Sequence, residues 1–304
     1  MNPDTIPVHN LKPAPNIENP RDEKVKDSWT VRRPGLNSFQ GSIVRKPWNY
    51  YVTVCIPHRD TPELIEVIQP LYWYQTVKPY IMVMDTGSLP EVMDRLERMV
   101  RCDDTEIHYL RPHSSIHSSQ PVAWSIDIAM TMCRTEYLFL THSDMFPRSR
   151  SILEEFMCLC GPNNPVVGYS MSHREDIRKV SPYPVEYKNT PGHVATMLHM
   201  PTLRDSGIRY GFRQGEMWTD TEIEFGDTLK SKGIHPLILG VELNYVRQID
   251  DRIDHCRSTT SLSMGNGLPT GKGEDIIEAM KEAVARAEDW KKEWNKYASM
   301  GFPS

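Results

Sequence analysis

The feature that most constrains this chain is a repeated alternation, beginning at Tyr50, between short β-branched or apolar runs and helical patterns. Tyr51-Val-Thr-Val-Cys-Ile56 reads as a strand stopped by Pro57, and Thr61-Pro62-Glu63 opens a helix through Leu64, Ile65, Ile68, Leu71 and Tyr72. The pattern then repeats: strand Tyr80 to Met84, helix Leu89 to Arg101, strand Glu106 to Leu110, helix Val122 to Cys133, strand Tyr137 to Thr141. Strands joined through helices of this length specify right-handed crossovers and a mostly parallel sheet flanked by helices, an α/β fold. Ligands of such sheets bind where loops leave the carboxyl ends of the strands. Attention therefore falls on His58-Arg59-Asp60, Asp85-Thr86-Gly87-Ser88, His113 to Ser119 and His142-Ser143-Asp144.

Outside this alternation the signals thin. Residues 1–47 hold seven prolines and no sustained periodicity, so they read as an extended N-terminal arm, and residues 48–260 as the folded domain. After a helix from Ser151 to Cys160 and a strand from Val166 to Met171, a long stretch reads as loop-rich. Residues 261–304 read as a loop and an amphipathic C-terminal helix, from about Glu274 to Tyr297, with Ile277, Met280, Val284, Ala287, Trp290 and Trp294 on its apolar stripe. No apolar run approaches the ~20 residues of a membrane span, and the N-terminus lacks a signal-peptide layout, so the chain reads as cytoplasmic. The net charge of −5 gives no general attraction to nucleic acid, although the first fifty residues carry eight Lys/Arg against five Asp/Glu. Six cysteines without a Cys-x-x-Cys pair read as small core residues rather than a structural zinc site.

The segment richest in chemistry is Glu136-Tyr-Leu-Phe-Leu-Thr-His-Ser-Asp144, a buried strand ending in polar groups where a ligand would sit. A carboxylate there can reach a divalent cation that bridges a diphosphate and offsets charge on its leaving group. The segment resembles the metal-binding strand of GT-A-fold (Rossmann-like), family-2-like glycosyltransferases, whose usual form is G-E-Y-(apolar)-D-x-D. Asp144 takes the second aspartate and His142 replaces the first. Further segments resemble the family in order. Val52 to Pro57 matches the first strand, Gln75-Thr76 the close of the first helix, and Val83 to Ser88 the V-D-D-G-S loop. On that match Asp85 contacts the base of the nucleotide, while Met84 replaces the preceding acid. Asp127, in Ser125-Ile-Asp127-Ile-Ala129, lies where the family has A-R-N-x-G, nine residues before Glu136.

Further along, Trp218-Thr-Asp220-Thr-Glu222-Ile-Glu224 with Gly233 resembles the family's E-D-x-D stretch. Counted back from Gly233, the catalytic carboxylate falls on Glu222, with Asp220 as rival and Glu224 third. His255 stands where several relatives place a histidine completing the metal shell, with Arg247, Arg252 and Arg257 nearby.

The resemblance implies a metal-dependent transferase passing a sugar from a nucleotide-sugar, UDP-linked by preference, to an acceptor hydroxyl with inversion. It implies catalytic Glu222 or Asp220, metal ligands Asp144, His142 and His255, and donor contacts from Pro57, Arg59, Asp85, Asp127 and Ser143. An imidazole ligand favours Mn²⁺ over Mg²⁺. The acceptor stays open among a small molecule, a glycan, a protein and a hydroxylated DNA base, the last as in phage-type DNA-modifying relatives of this fold. Two other classes remain: a nucleotidyltransferase, against which Ile56 to Asp60 offers no glycine-rich phosphate loop, and a non-catalytic nucleotide-sugar-binding relative, suggested by the substitutions at Met84 and His142.

Overall fold

The computed structural model describes residues 5–7, 30–32, 50–99, 104–110, 120–171, 190–210, 221–242, 248–256 and 272–299. Its centre is the expected α/β unit. Strands β3 (Val52–His58), β4 (Tyr80–Asp85), β5 (Thr105–Leu110) and β6 (Tyr137–Thr141) are parallel and are separated in sequence by helices α1 (Pro62–Trp73), α2 (Pro90–Met99) and α3 (Gln120–Met132). Every residue of β3 and β4 is buried, which is why both read as near-continuous apolar runs rather than as alternating ones.

The nine-stranded sheet has the order β1-β2-β5-β4-β3-β6-β9-β8-β10. The arm supplies β1 (Thr5–Pro7) and β2 (Thr30–Arg32), and β2 adds antiparallel to β5. Beyond β6 the sheet changes sense. Strand β9 (Pro191–His199) lies antiparallel between β6 and β8 (Val166–Met171), and β10 (Leu237–Glu242) runs parallel to β8. A separate three-stranded sheet joins β11 (Gln248–Asp250), β12 (Ile253–His255) and β7 (Met145–Pro147), the short strand that follows β6. The remaining helices are α4 (Ile152–Leu159), α5 (Met200–Leu203), α6 (Thr221–Ser231) and α7 (Lys272–Ser299).

Apolar side chains form two cores. One gathers Ile65, Ile68, Leu71, Phe139, Phe146 and Phe156 under α1, α4 and α7; the other gathers Met82, Met84, Trp124, Leu140, Tyr210 and Phe225 under α3 and α6. No helix of the described residues is long and apolar enough to cross a membrane.

Four features of the structure refine this reading. First, Pro57 does not stop β3. The ladder to β6 ends at Cys55, so the missing N–H of Pro57 disrupts nothing on that side, while pairing to β4 continues through Pro57↔Met84 and His58↔Asp85. Second, the stretch after Met171, read as loop-rich, also supplies β9, α6 and β10. Third, Met84, which stands where the family has an acid, is fully buried in the core beneath α3. Fourth, the inward stripe of α7 is Ile276, Ala279, Ala283, Ala287 and Trp290, whereas Ile277 and Val284 are exposed. Three alanines in that stripe let α7 approach closely and carry little hydrophobic signal in the sequence.

Candidate functional site

The loops after β3 and β4 are braced against one another. His58, at the last position of β3, is buried and places Nδ1 2.9 Å from Asp85 Oδ2. The backbone N–H of Thr61 donates to His58 Nε2 at 3.1 Å, so the ring proton resides on Nδ1 and is donated to the carboxylate. Asp85 Oδ1 accepts from the backbone N–H groups of Gly87 (3.1 Å) and Ser88 (2.9 Å), and Oδ2 also takes the Ser88 hydroxyl. Burial, the largest influence, works to raise the Asp85 carboxyl; the contacts from His58 and Ser88 outweigh it and hold the group below its ordinary value.

The bracing extends outward. Asp60 donates its N–H to Ser88 Oγ at 2.7 Å and accepts from Leu89 N at 2.8 Å. That geometry holds Asp60 at φ 52°, in the left-handed region that aspartate tolerates, and Gly87 at φ 107°, where a Cβ would be strained. Pro57 is buried at the root of this loop pair, and Arg59 stands at its rim with 37% of its side chain exposed.

A second group assembles where β6 ends. His142, Ser143 and Asp144 form the turn into β7, closed by Met145 N–H to His142 O at 3.3 Å. Strand β12 pairs with β7 so that His255 lies opposite Met145, and Cys256 N–H donates to Asp144 O at 3.0 Å. His255 Nε2 thereby lies 3.4 Å and His142 Nδ1 3.7 Å from Asp144 Oδ1. One donor atom from each of the three residues falls within 4.8 Å of the others. His142 Nε2 is enclosed and makes no hydrogen bond among the described residues. Burial of the ring, then the neighbouring His193, holds the His142 imidazole well below its usual range against the pull of Asp144, so it is neutral at physiological pH with a lone pair to donate. Two imidazoles and a carboxylate fit a divalent transition metal better than Mg²⁺, which prefers an all-oxygen shell.

The strand carrying His255 is fixed from behind. Asp254, with 1% of its side chain exposed, accepts from Arg148 Nη1 at 3.1 and 3.2 Å and lies 3.4 Å from Arg286 Nη2 on α7. Arg286 Nη1 also donates to Pro147 O at 2.6 Å. The C-terminal helix, held further by Arg150–Glu293 at 2.6 Å, thus grips both β7 and β12. Arg252 turns away, to Glu155 at 3.2 Å and the Tyr169 hydroxyl at 3.4 Å.

The third group is Glu222, the second residue of α6, with none of its surface exposed. The helix N-terminus favours its negative charge. Its Oε1 is in ion-pair contact with His193 Nδ1 on β9, and the His193 ring lies 4.2 Å from that of His142, tilted by 38°. Tyr210 closes this side, stacked on Phe225 of α6 at 4.0 Å and edge-on to His193 at 6.3 Å. Burial, reinforced by Glu222 and Asp127, pushes the Tyr210 hydroxyl well above its ordinary range, so it stays protonated. Helix α6 can lie this close to β9 because Gly226 has no Cβ: one added there would come within 2.7 Å of Thr190 Oγ1.

The structure therefore brings His142, Asp144 and His255 together and sets Glu222 next to them through His193. Pro57, Arg59 and Asp85 belong to the braced loop pair, and Ser143 is buried between His142 and Asp144 in its turn. Asp127 Oδ1 accepts the backbone N–H of Tyr210 at 2.7 Å, a contact that ties α3 to the segment after α5. Asp220, His113, His117, Arg247 and Arg257 lie outside the described residues. Sequence reasoning missed His193 and the roles of His58, Asp254 and Arg286. No local signal marks His193, because Pro191 to His199 is neither a pure apolar run nor an alternating one.

No family model matches the chain, and no curated protein matches it. Among solved structures, the mannosyltransferase PcManGT from Pyrobaculum calidifontis, in complex with GDP-Man and Mn²⁺, is 14% identical with a TM-score of 0.47, covering 86% of this chain and 81% of its own. S. aureus TarS (residues 1–349) in complex with UDP-GlcNAc is 11% identical with a TM-score of 0.46, covering 79% and 70%. Glucosyl-3-phosphoglycerate synthase from Mycobacterium tuberculosis, in complex with Mn²⁺ and UDP-glucose, is 13% identical with a TM-score of 0.42, covering 81% and 83%. At such identities, function is read from the site itself.

Proposed function

We propose that this protein is a metal-dependent glycosyltransferase that moves a sugar from a nucleotide-sugar, of which a UDP-sugar fits the reading best, to an acceptor hydroxyl with inversion. The observation that carries the reading is the meeting, at the carboxyl ends of β3, β4 and β6, of a prebuilt loop pair, a two-histidine, one-carboxylate cluster and a buried carboxylate on a helix N-terminus. Ligands of parallel sheets bind at that edge.

In this reading Pro57, Arg59 and Ser143 line the donor subsite, and Asp85 shapes it by bracing Gly87 and Ser88. His142, Asp144 and His255 would hold a divalent cation, Mn²⁺ in preference to Mg²⁺, which would offset the charge developing on the diphosphate leaving group. Glu222 accepts the proton of the acceptor hydroxyl as that oxygen displaces the nucleotide at the anomeric carbon. The cluster of donors to a cation, rather than a glycine-rich phosphate loop, favours this over nucleotidyl transfer, and the buried Glu222 favours turnover over mere binding.

The test is incubation of the protein with a panel of nucleotide-sugars and Mn²⁺, followed by mass spectrometry for released nucleotide. Donor cleavage by the wild type, greater with Mn²⁺ than with Mg²⁺ and lost in Asp144→Asn or excess chelator, is expected. Cleavage that survives both would overturn the metal role. Its absence with every donor would overturn the transferase reading.

A further inference from the structure

We infer that His193, which nothing in the sequence singled out, is the positioning residue that couples the metal-binding half of the site to the base, an inference that rests on the function proposed above. Strand β9 pairs with β6 only as far as Thr141↔Ala195, so residues 191–194 run on past the end of β6, alongside the turn that carries His142 and Asp144. His193 is the polar side chain that this overhang delivers to both halves, and it is 8% exposed.

Two different properties of its ring are used. The Nδ1 atom lies in contact with Glu222 Oε1 and so limits where that buried carboxylate can point. The ring face packs on His142 at 4.2 Å, while His255 packs on His142 from another side at 5.3 Å, nearly perpendicular. His142 thus packs against two imidazoles, and its Nε2 makes no hydrogen bond among the described residues. His193 is held in turn, edge-on, by Tyr210, whose ring lies flat on Phe225 of the helix that carries Glu222. A displacement of α6 would therefore reach the cation through one intervening ring.

Because the polar and ring contributions are separable, two substitutions divide them. His193→Phe keeps an aromatic face against His142 and removes the contact to Glu222. His193→Asn keeps a short polar group toward Glu222 and removes the ring. Mn²⁺ binding to the full-length protein, read from the free-ion signal in electron paramagnetic resonance, and kcat for donor cleavage at saturating Mn²⁺ are measured for each. His193→Phe is expected to keep Mn²⁺ affinity within about twofold and lower kcat by about 10²-fold, as misplacement of a reacting group does. His193→Asn is expected to weaken Mn²⁺ binding by about tenfold, as loss of a supporting contact behind a ligand does, and to lower kcat less than His193→Phe.

If His193→Asn binds Mn²⁺ as tightly as the wild type while Asp144→Asn does not, the coupling is refuted and the metal site stands. Equal losses of kcat in the two variants, with circular dichroism unchanged, also refute it. If the wild type and Asp144→Asn bind Mn²⁺ equally, the metal reading itself fails and takes the inference with it.

Discussion

Replacing Gly226 by alanine tests how tightly α6 must lie on β9. In a helix interior this change ordinarily adds about 1 kcal/mol of stability, because alanine restricts the unfolded chain and glycine does not. Here the new Cβ would stand 2.7 Å from Thr190 Oγ1, 2.8 Å from Thr190 Cγ2 and 3.3 Å from its Cβ. Both branches of a β-branched side chain are in the way, so rotating Thr190 exchanges one clash for another. Relief requires the helix to move outward by roughly 0.7 Å, from 2.7 Å to the 3.4 Å at which ordinary contact begins. Such overpacking costs about 1–3 kcal/mol, which cancels or exceeds the helix gain and leaves Gly226→Ala up to about 2 kcal/mol less stable. Glu222 is four residues earlier, one turn up the same helix, and moves with it. A shift of that size at a reacting group lowers kcat on the order of tenfold. Urea denaturation and donor-cleavage kinetics on Gly226→Ala and on Gly226→Ala/Thr190→Ala measure both effects. The double variant, with both branches removed, should recover stability and most of the rate. A Gly226→Ala protein that is more stable than the wild type, with unchanged turnover, would refute the reasoning.

Three further outcomes are expected. Glu222→Gln should lower kcat by ~10² to 10⁴, the usual worth of a general base, while Mn²⁺ still binds; unchanged kcat would remove Glu222 from the chemistry. Asp85, whose folded carboxyl is held below its ordinary value, contributes stability that is complete above the unfolded pKa of about 3.9 and is lost as pH falls below that through the lower folded value. Wild type should therefore lose more stability than Asp85→Asn between about pH 5 and pH 3, and parallel curves in urea titrations would contradict the bracing role. Burial pushes the Cys160 thiol up to about 12 and raises those of Cys55 and Cys133, whereas Cys158 is exposed. Among the described cysteines, native-state alkylation with iodoacetamide at neutral pH should mark Cys158 first, as peptide mass spectrometry would show.

The β3-to-β6 half of the fold was legible because its strands are buried on both faces and its helices are amphipathic, so period and composition agree. Strand β9 was not, since PGHVATMLH is neither a pure apolar run nor an alternating one: Thr196 and His193 are buried like its aliphatic residues. Its place between β6 and β8 is set by partners distant in sequence, which no local pattern records. The candidate site shows the same division. His142, Asp144 and Glu222 were found because each sits in a segment with its own signal. His193 has none, and Asp254 looks like any acid in a charged loop until Arg148 and Arg286 are seen to enclose it. Asp85 could be placed at the sheet edge from sequence, but only the structure shows that His58, Gly87 and Ser88 occupy its oxygens.

The Arg148–Asp254–Arg286 grip has a consequence for the order in which the protein matures. His142 and Asp144 leave the ribosome more than a hundred residues before His255, and the helix bearing Arg286 emerges later still. Domains fold as their residues become available, so the parallel sheet can begin to form while only two of the three proposed cation ligands are present. Removing one partner of a buried charge pair is strongly destabilising, and until α7 docks, Asp254 has only one of its two arginines. On the function proposed above, metal capture therefore follows the docking of α7, and a nascent or clipped chain lacking α7 would have a loose third ligand as well as an uncovered core. On that same proposed function, docking of α7 is the step that separates a folded chain from one able to retain its ion.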